Sequence, residues 1–198
     1  FDYPTNVIQS YDEIINNVEA VLPLNGEDFA ILAESFAGPV ALSLAQRDIP
    51  GLRALILVVT FASTPRHPLL QLTRALPMSK LMSLHVPRKF ARRMMLGANP
   101  PEGTLERLLG VFNMISPEVL VSRLDEMRKL SLDQKVINLP AMYIQATQDR
   151  LLPDNALDDL TALLPHLETH RIEGPHLVLD AKPTTCARLV AGFLTSLE

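Results

Sequence analysis

Phe29-Ala-Ile-Leu-Ala-Glu-Ser-Phe-Ala-Gly-Pro-Val-Ala-Leu42 joins two apolar runs with no loop between them. The first run, Phe29 to Ala33, has the length of a buried strand, and the second, Phe36 to Ala45, is long enough for a buried helix. The chain must therefore turn from strand to helix within about two residues. A serine on so sharp a turn has strained backbone angles, and its hydroxyl projects beyond the edge of the sheet. Ser35 is that residue.

Small residues surround Ser35, as close packing between a strand and the following helix requires. Ala33 lies two residues before it, and Ala37 and Gly38 follow. The pattern small-x-Ser-x-small alone is also compatible with a serine that only caps a helix. Residues further along the chain are needed to choose between a nucleophile and a cap.

Composition predicts one globular domain with a sizeable core, since 47% of the 198 residues are hydrophobic and 20% are charged. A net charge of −4 argues against nucleic acid as a partner. The single cysteine, Cys186, excludes an internal disulfide, and we expect no metal and no cofactor. The longest apolar runs, such as Ala54 to Val59, are too short to cross a bilayer. We expect a cytoplasmic location, although Phe1 is not an initiating methionine and a preceding signal peptide stays an open alternative.

Strand and helix signals alternate in the first third of the chain. Phe1 to Pro4 has the pattern of a strand end, and Ser10 with Glu13 forms a capping box for an amphipathic helix over residues 10–22. The apolar, partly β-branched run Leu52 to Thr60 predicts a strand buried on both faces, as in a parallel sheet covered by helices. The order strand, helix, strand indicates an α/β protein.

Residues 63–135 form a predicted helical insertion, because no strand pattern occurs there and prolines separate short helical patterns. We expect it to lie over a core made of residues 1–62 and 136–198. One helix carries on one face the apolar residues Leu105, Leu108, Leu109, Phe112 and Ile115. Ser116-Pro117 begins the next helix, with Leu120, Leu124, Met127 and Leu130 inward. Alternation of strands and helices then resumes with the predicted strand Ala141–Thr147, a helix from Asp154 to Leu164 and the polar edge strand Leu167–Ile172. A final helix begins near Pro183, and its apolar face carries Cys186, Leu189, Val190, Phe193 and Leu197.

Two polar residues follow the last two predicted strands directly. Asp149 comes after the strand that ends at Thr147. Because Asp154 is the better-placed cap for the next helix, Asp149 is not needed as a helix cap. His176 follows the last strand in the loop Glu173-Gly-Pro-His. Serine is a weak nucleophile that needs a histidine base, which a carboxylate orients, and ligands in open α/β sheets collect at the carboxyl ends of strands. The remaining histidines, His67, His85, His166 and His170, lie in the insertion, at a helix end or inside a strand.

In its strand–turn–helix setting, the phrase from Ala33 to Ala37 resembles the G-x-S-x-G nucleophile elbow of the α/β-hydrolase family, with alanine at both glycine positions. The chain order Ser35, Asp149, His176 also resembles that family, and the insertion occurs where the family usually carries a cap. The resemblance implies that Ser35 attacks an acyl carbonyl, that His176 transfers the proton and that Asp149 orients His176. It further implies that the backbone N–H of Phe36 is one oxyanion-hole donor.

The same resemblance implies that strands are missing ahead of the elbow. The family's sheet usually has several strands there and a second oxyanion donor in a His-Gly loop, and neither precedes Ser35 in this sequence. We therefore expect Phe1 to begin a fragment that lacks the first strands. The elbow strand would then expose an apolar edge through which the chain could self-associate.

The resemblance favours a serine hydrolase of small-molecule carboxylic esters, in the manner of esterases and lipases. Thioester hydrolysis, carbon–carbon bond hydrolysis, acyl transfer, cofactor-free haloperoxidase chemistry and a non-catalytic binding module are the alternatives, and the fold does not separate them. Methionines of the insertion either line a pocket roof or only pack onto the core. The basic cluster Arg88, Lys89, Arg92 and Arg93 is either a solvated helix face or a contact for an acidic substrate or membrane.

Overall fold

The computed structural model describes residues 1–23, 26–65, 87–153 and 155–197, and it centres on a four-stranded sheet in the order β1-β2-β3-β4. All three strand pairs are parallel. The second and third strands are adjacent, with Leu55 opposite Ala141 and Val58 opposite Ile144. The strands are β1 (Phe29–Glu34), β2 (Leu52–Val58), β3 (Ala141–Ala146) and β4 (Leu167–Ile172).

Helices connect the parallel strands, as a parallel sheet requires. Among the described residues, the first helix precedes β1, the second follows the elbow, three helices lie between β2 and β3, one joins β3 to β4, and two follow β4. They are α1 (Tyr11–Glu19), α2 (Gly38–Gln46), α3 (Arg88–Ala91, continued by a π-helical turn at Arg92–Leu96), α4 (Thr104–Met114), α5 (Pro117–Lys129), α6 (Ala156–Leu163), α7 (Val178–Ala181) and α8 (Pro183–Thr195).

Apolar side chains of β2 pack on both faces of the sheet, which explains its unbroken apolar run. Leu55 and Leu57 pack in one cluster with α2 and α6. Ile56 and Val58 pack in a second cluster, where α8 contributes Cys186 and Phe193. The fold is therefore an α/β sandwich with the sheet in the middle, as predicted.

Local sequence signals set the helix starts. Ser10 and Glu13 form the predicted capping box, which satisfies the first free N–H groups of α1. Ser116 caps α5 through the N–H of Val119, and Pro117 occupies the first turn, also as predicted. The start of α6 differs, because its N-terminal flanking residue is Asn155 and no side chain caps it, while Asp154 lies outside the described residues.

The prediction of a strand at Phe1–Pro4 is wrong. These residues have no strand partner among the described residues and are attached by side-chain and loop contacts instead. Tyr3 packs edge-on against Phe36, and Arg123 of α5 donates to the carbonyl of Pro4 at 3.1 Å. A strand end needs a neighbouring strand for its hydrogen bonds, and β1 is the outermost strand that the structure describes.

The inward-facing residues of the helices are mostly as expected, with exceptions at helix ends. Val21 and Leu197 lie beyond the last residues of α1 and α8 and are 65% and 38% exposed, because the apolar face of each helix ends with the helix. Met114, at the end of α4, is 64% exposed and cannot contribute to a pocket roof. On α5 the fully buried side chain is Val119, whereas the residues predicted to point inward are half-buried. Met78 and Met82 lie outside the described residues.

None of the helices in the described ranges is long and apolar enough to span a membrane.

Candidate active site

Ser35 occupies a strained turn directly after β1. Its φ angle is +52°, in the left-handed region that residues other than glycine seldom adopt. A single 3₁₀ turn, Ser35–Ala37, follows and continues into α2 without a break. The strand-to-helix junction predicted from the two apolar runs is therefore confirmed, and the strain is of the kind found at functional sites.

Thr60 packs against this turn and explains why Gly38 has no side chain. The Thr60 hydroxyl donates to the carbonyl of Ser35 at 2.5 Å. A Cβ atom placed on Gly38 would lie 1.8 Å from Thr60 Oγ1, which is an impossible contact. Ala33 and Ala37 stand at the usual glycine positions, so the position that tolerates no side chain is Gly38.

The structure brings the three predicted site residues together in one hydrogen-bonded row. Ser35 Oγ lies 2.9 Å from His176 Nε2, and His176 Nδ1 lies 2.8 Å from Asp149 Oδ2. The Ser35 hydroxyl and the His176 imidazole are therefore within hydrogen-bonding distance. Because ionised Asp149 only accepts hydrogen bonds, the proton belongs on Nδ1, and Nε2 is left to accept the hydrogen of Ser35.

Asp149 is fixed at both carboxylate oxygens. Oδ2 faces His176, while Oδ1 accepts from the N–H groups of Leu151 and Leu152 at 2.7 and 3.2 Å. Its side chain is only 9% exposed, so little water competes for these bonds. The aspartate therefore holds the imidazole from a fixed position in the loop after β3.

His176 lies in a buried loop that the helical insertion helps to hold. The residue is 3% exposed. The N–H of the next residue, Leu177, donates to the carbonyl of Met95 in the π-helical turn at 2.8 Å. Gly97, which ends that turn with φ +76°, packs closely on Pro175. Contacts from residues 95–97 thus position the histidine loop.

The backbone N–H of Phe36 lies next to the serine, at the start of the turn. The first hydrogen bond of the 3₁₀ turn runs from Gly38 N–H to the carbonyl of Ser35, so the N–H of Phe36 precedes it. The Phe36 ring stacks on Tyr11 at 4.7 Å between centroids, and the Tyr11 hydroxyl donates to the Phe36 carbonyl at 3.3 Å. Helix α1 therefore braces the turn from outside, and burial raises the pKa of Tyr11 so that it stays protonated.

Glu34 is a half-buried carboxyl beside the row that sequence reasoning did not single out. Burial raises its pKa from 4.5 to about 7, with smaller effects from His176, Asp180 and Asp149 and a hydrogen bond from the backbone of Leu179. Its Oε1 atom is buried and has no hydrogen-bond partner among the described residues. The only sequence signal was an acidic residue at the buried end of an apolar strand.

The other two described histidines, His166 and His170, are not hydrogen-bonded to the row. His170 Nε2 lies 2.6 Å from Glu168 on the exposed edge of β4, and His166 lies in the turn between α6 and β4. His67 and His85 lie outside the described residues. Within the described ranges no group of three or more His, Cys, Asp or Glu side chains could hold a metal ion.

Comparison with solved structures identifies the architecture. The chain is similar to an enol-lactonase from Burkholderia xenovorans LB400, with a TM-score of 0.73 and 17% identity over 98% of this chain and 76% of that one. A lipase-esterase related protein from Clostridium acetobutylicum matches with a TM-score of 0.73 and 15% identity over 98% and 77%. An epoxide hydrolase from Bacillus megaterium matches with a TM-score of 0.66 and 14% identity over 94% and 76%. No protein-family model matches this chain, and no curated protein sequence matches it significantly.

The chain has the α/β-hydrolase fold. The resemblance read from the elbow and from the order of Ser35, Asp149 and His176 is confirmed at the level of the fold. Identities of this size establish the fold, and the neighbours differ in the reactions that their names state. The reaction must therefore be argued from the site.

Proposed function

We propose that this protein is a serine hydrolase that cleaves small-molecule carboxylic esters, with Ser35, His176 and Asp149 as its catalytic triad. The observation that carries the proposal is the unbroken row of hydrogen bonds from the Ser35 hydroxyl through His176 to Asp149. A serine on a strained turn, paired with a buried imidazole that has a fixed tautomer, meets the geometric requirement for an activated nucleophile.

The proposed reaction begins when Ser35 Oγ attacks the ester carbonyl and its proton passes to His176 Nε2. The resulting imidazolium is stabilised by Asp149, and the N–H of Phe36 donates to the oxyanion. His176 then protonates the leaving alcohol as the carbon–oxygen bond breaks, which leaves an acyl group on Ser35. Water, deprotonated by His176, attacks the acyl-enzyme and releases the acid and the free serine.

The fixed orientation of His176 supports this role. Asp149 holds Nδ1 from one side, and the bond from Leu177 to Met95 holds the loop from the other. Because the imidazole is buried, proton transfer to and from Ser35 occurs in a low-dielectric environment where the charge of Asp149 acts strongly. We assign residues 63–135 the role of a cap that contributes to this positioning.

A fluorophosphonate probe tests the nucleophile directly. The intact protein should react at Ser35 and hydrolyse para-nitrophenyl esters of short acids, and both properties should be lost in Ser35→Ala. Ser63→Ala is the matched control, because the Ser63 hydroxyl also bonds a carboxylate, that of Asp159 at 2.5 Å, but bonds no histidine among the described residues. A folded protein that neither reacts with the probe nor hydrolyses esters would contradict the proposal and favour a binding module.

A further inference from the structure

A cavity of about 680 Å³ lies between the insertion and the loops that carry Asp149 and His176. We call it the basic cleft, because cationic side chains dominate its walls. On the insertion side it is lined by Lys89, Arg92 and Arg93, followed by Gly97 and Ala98. On the core side it is lined by Gln148, Asp149, Arg150 and Pro175.

The sequence makes this region positive in a chain whose net charge is negative. Residues 49–101 contain no aspartate and no glutamate, whereas lysine and arginine recur through the segment. The whole chain nevertheless has a net charge of −4. Positive charge is therefore concentrated in a segment that includes Lys89, Arg92 and Arg93 of the cleft wall.

The three cations that the insertion contributes to the cleft have no carboxylate partner in the described part of the chain. Lys89, Arg92 and Arg93 take part in none of its ion pairs, whereas their neighbour Arg88 pairs with Glu106. The one carboxylate in the lining, Asp149, has both oxygens engaged by His176 and by backbone N–H groups. The cleft thus holds cationic donors without a counter-ion of its own.

The backbone fixes where two of these cations lie. Arg92 and Arg93 belong to the π-helical turn Arg92–Leu96, a rare geometry that occurs frequently at functional sites. Met95 of the same turn accepts the hydrogen bond from Leu177, and the Arg92 guanidinium donates to the carbonyl of Ala98 at 3.1 Å. The turn that carries Arg92 and Arg93 is therefore hydrogen-bonded to the histidine loop through Met95.

We propose that the basic cleft binds a carboxylate or phosphate group, and that this group is the non-reacting end of an anionic ester substrate. Arginine and lysine donors recognise such groups through charge-assisted hydrogen bonds. The cleft borders the triad at Asp149 and at Pro175, the residue before His176. The assignment to a substrate rests on the proposed ester hydrolysis, whereas the assignment of an anion site rests on the cleft alone.

Paired ester substrates test the charge preference. The intact protein should prefer the para-nitrophenyl monoester of glutaric acid, which keeps a free carboxylate, over the neutral para-nitrophenyl pentanoate. In the triple variant Lys89→Gln, Arg92→Gln, Arg93→Gln, the ratio of kcat/KM for the anionic ester to that for the neutral ester should fall about tenfold or more, mainly through KM. The matched triple variant Arg53→Gln, Arg88→Gln, Arg188→Gln loses the same charge outside the cleft and should keep the ratio.

Calorimetric titration with glutarate and with inorganic phosphate tests the anion site without any turnover. Binding should occur in the intact protein and in the matched variant and should disappear in the cleft variant. If the bound anion competes with the ester, the cleft binds the anionic end of the substrate. If the anion binds without competing, the cleft binds a free anion instead. Absence of binding to the intact protein, or equal binding by the cleft variant, overturns the proposal.

The two proposals fail separately. If glutarate binds but no ester is hydrolysed, the hydrolase assignment is wrong and the anion site stands. If Ser35 hydrolyses neutral esters and neither anion binds, the hydrolase assignment stands and the basic cleft is only a solvated surface. Sedimentation of the protein with phosphatidylserine vesicles, lost in the cleft variant while neither small anion binds, would overturn the proposal in favour of a membrane contact.

Discussion

The two outer strands of the described sheet, β1 and β4, each lead into a residue of the proposed triad but position it in different ways. After β1 the chain turns at once, and Ser35 is held by backbone crowding against Gly38 and Thr60. After β4 a loop leads to His176, which is held by hydrogen bonds from Asp149 and through the neighbouring bond to Met95. The nucleophile thus depends on local packing, and the base depends on distant partners.

The edges of these strands also differ. β4 carries the exposed polar residues Glu168, Thr169 and Arg171, which is typical of an edge strand that meets water. β1 is apolar almost to its end, and its Leu32 is 47% exposed. Apart from changes to Ser35 itself, mutations should therefore affect mainly activity on the β4 side and mainly folding and association on the β1 side.

The largest effect is expected from Asp149→Asn, because Asp149, in the loop after β3, holds the histidine that follows β4. The asparagine amide can donate to Nδ1, which would force the proton of His176 onto Nε2 and remove the acceptor for Ser35. We expect kcat/KM for ester hydrolysis to fall roughly 10³- to 10⁴-fold, as in comparable triads. Steady-state kinetics measure this, and Asp158→Asn on the exposed side of α6 is the control. A loss below tenfold would show that Asp149 does not orient the base.

On the β1 side, Gly38→Ala should break the turn instead of the chemistry. The new Cβ would overlap Thr60 Oγ1, so we expect a loss of about 3 kcal/mol in the free energy of unfolding. Chemical denaturation measures it. Gly192→Ala in α8 meets no atom within 4 Å and should stabilise the protein slightly, because alanine favours helix more than glycine. Equal stability of both variants would mean that the close packing at Gly38 is relaxed in solution.

Glu34 gives the β1 side a dependence on pH. Its pKa is raised from 4.5 to about 7 by burial, so the folded state binds this proton more tightly than the unfolded chain. The group therefore favours folding fully below pH 4.5, and its contribution is lost as the pH rises to about 7. Its size is up to about 3 kcal/mol, since one pKa unit corresponds to about 1.4 kcal/mol.

Glu34→Gln should flatten the stability of the protein between pH 4.5 and 7, the range between the two pKa values. Denaturation midpoints across that range measure the effect, with Glu102→Gln at an exposed position as the control. An unchanged slope would mean that the carboxyl is solvated in the folded state and that its pKa stays near the usual value.

The smallest effect on folding is expected from Leu32→Lys, which tests the proposal that the β1 edge mediates self-association. A charge on an apolar edge strand opposes pairing with another copy. Sedimentation velocity at increasing concentration should show association of the unmodified protein and less of it in the variant. Val111→Lys, on α4 and similarly exposed, should leave association unchanged. A protein that stays monomeric at high concentration would remove this proposal.

Local patterns predicted much of the fold. The capping box at Ser10 and the apolar run of β2 each depend on residues close in sequence, and their predicted positions hold to within a few residues. The strand end at Phe1–Pro4 was wrong because a strand also needs a partner, which a local pattern cannot supply. The sequence also pointed to Ser35, Asp149 and His176 as candidates, since each directly follows a predicted strand.

The sequence alone determined the α/β architecture and the candidates at its strand ends, because hydrophobic periodicity and turn chemistry act over short stretches of chain. Only the tertiary structure decided the contacts of Thr60 with Ser35, the burial of Glu34 and the meeting of Lys89, Arg92 and Arg93 with the loops of Asp149 and Pro175. These depend on the register of parallel strands and on how the insertion packs. No single segment encodes such relations, since both partners must first be placed by the rest of the fold.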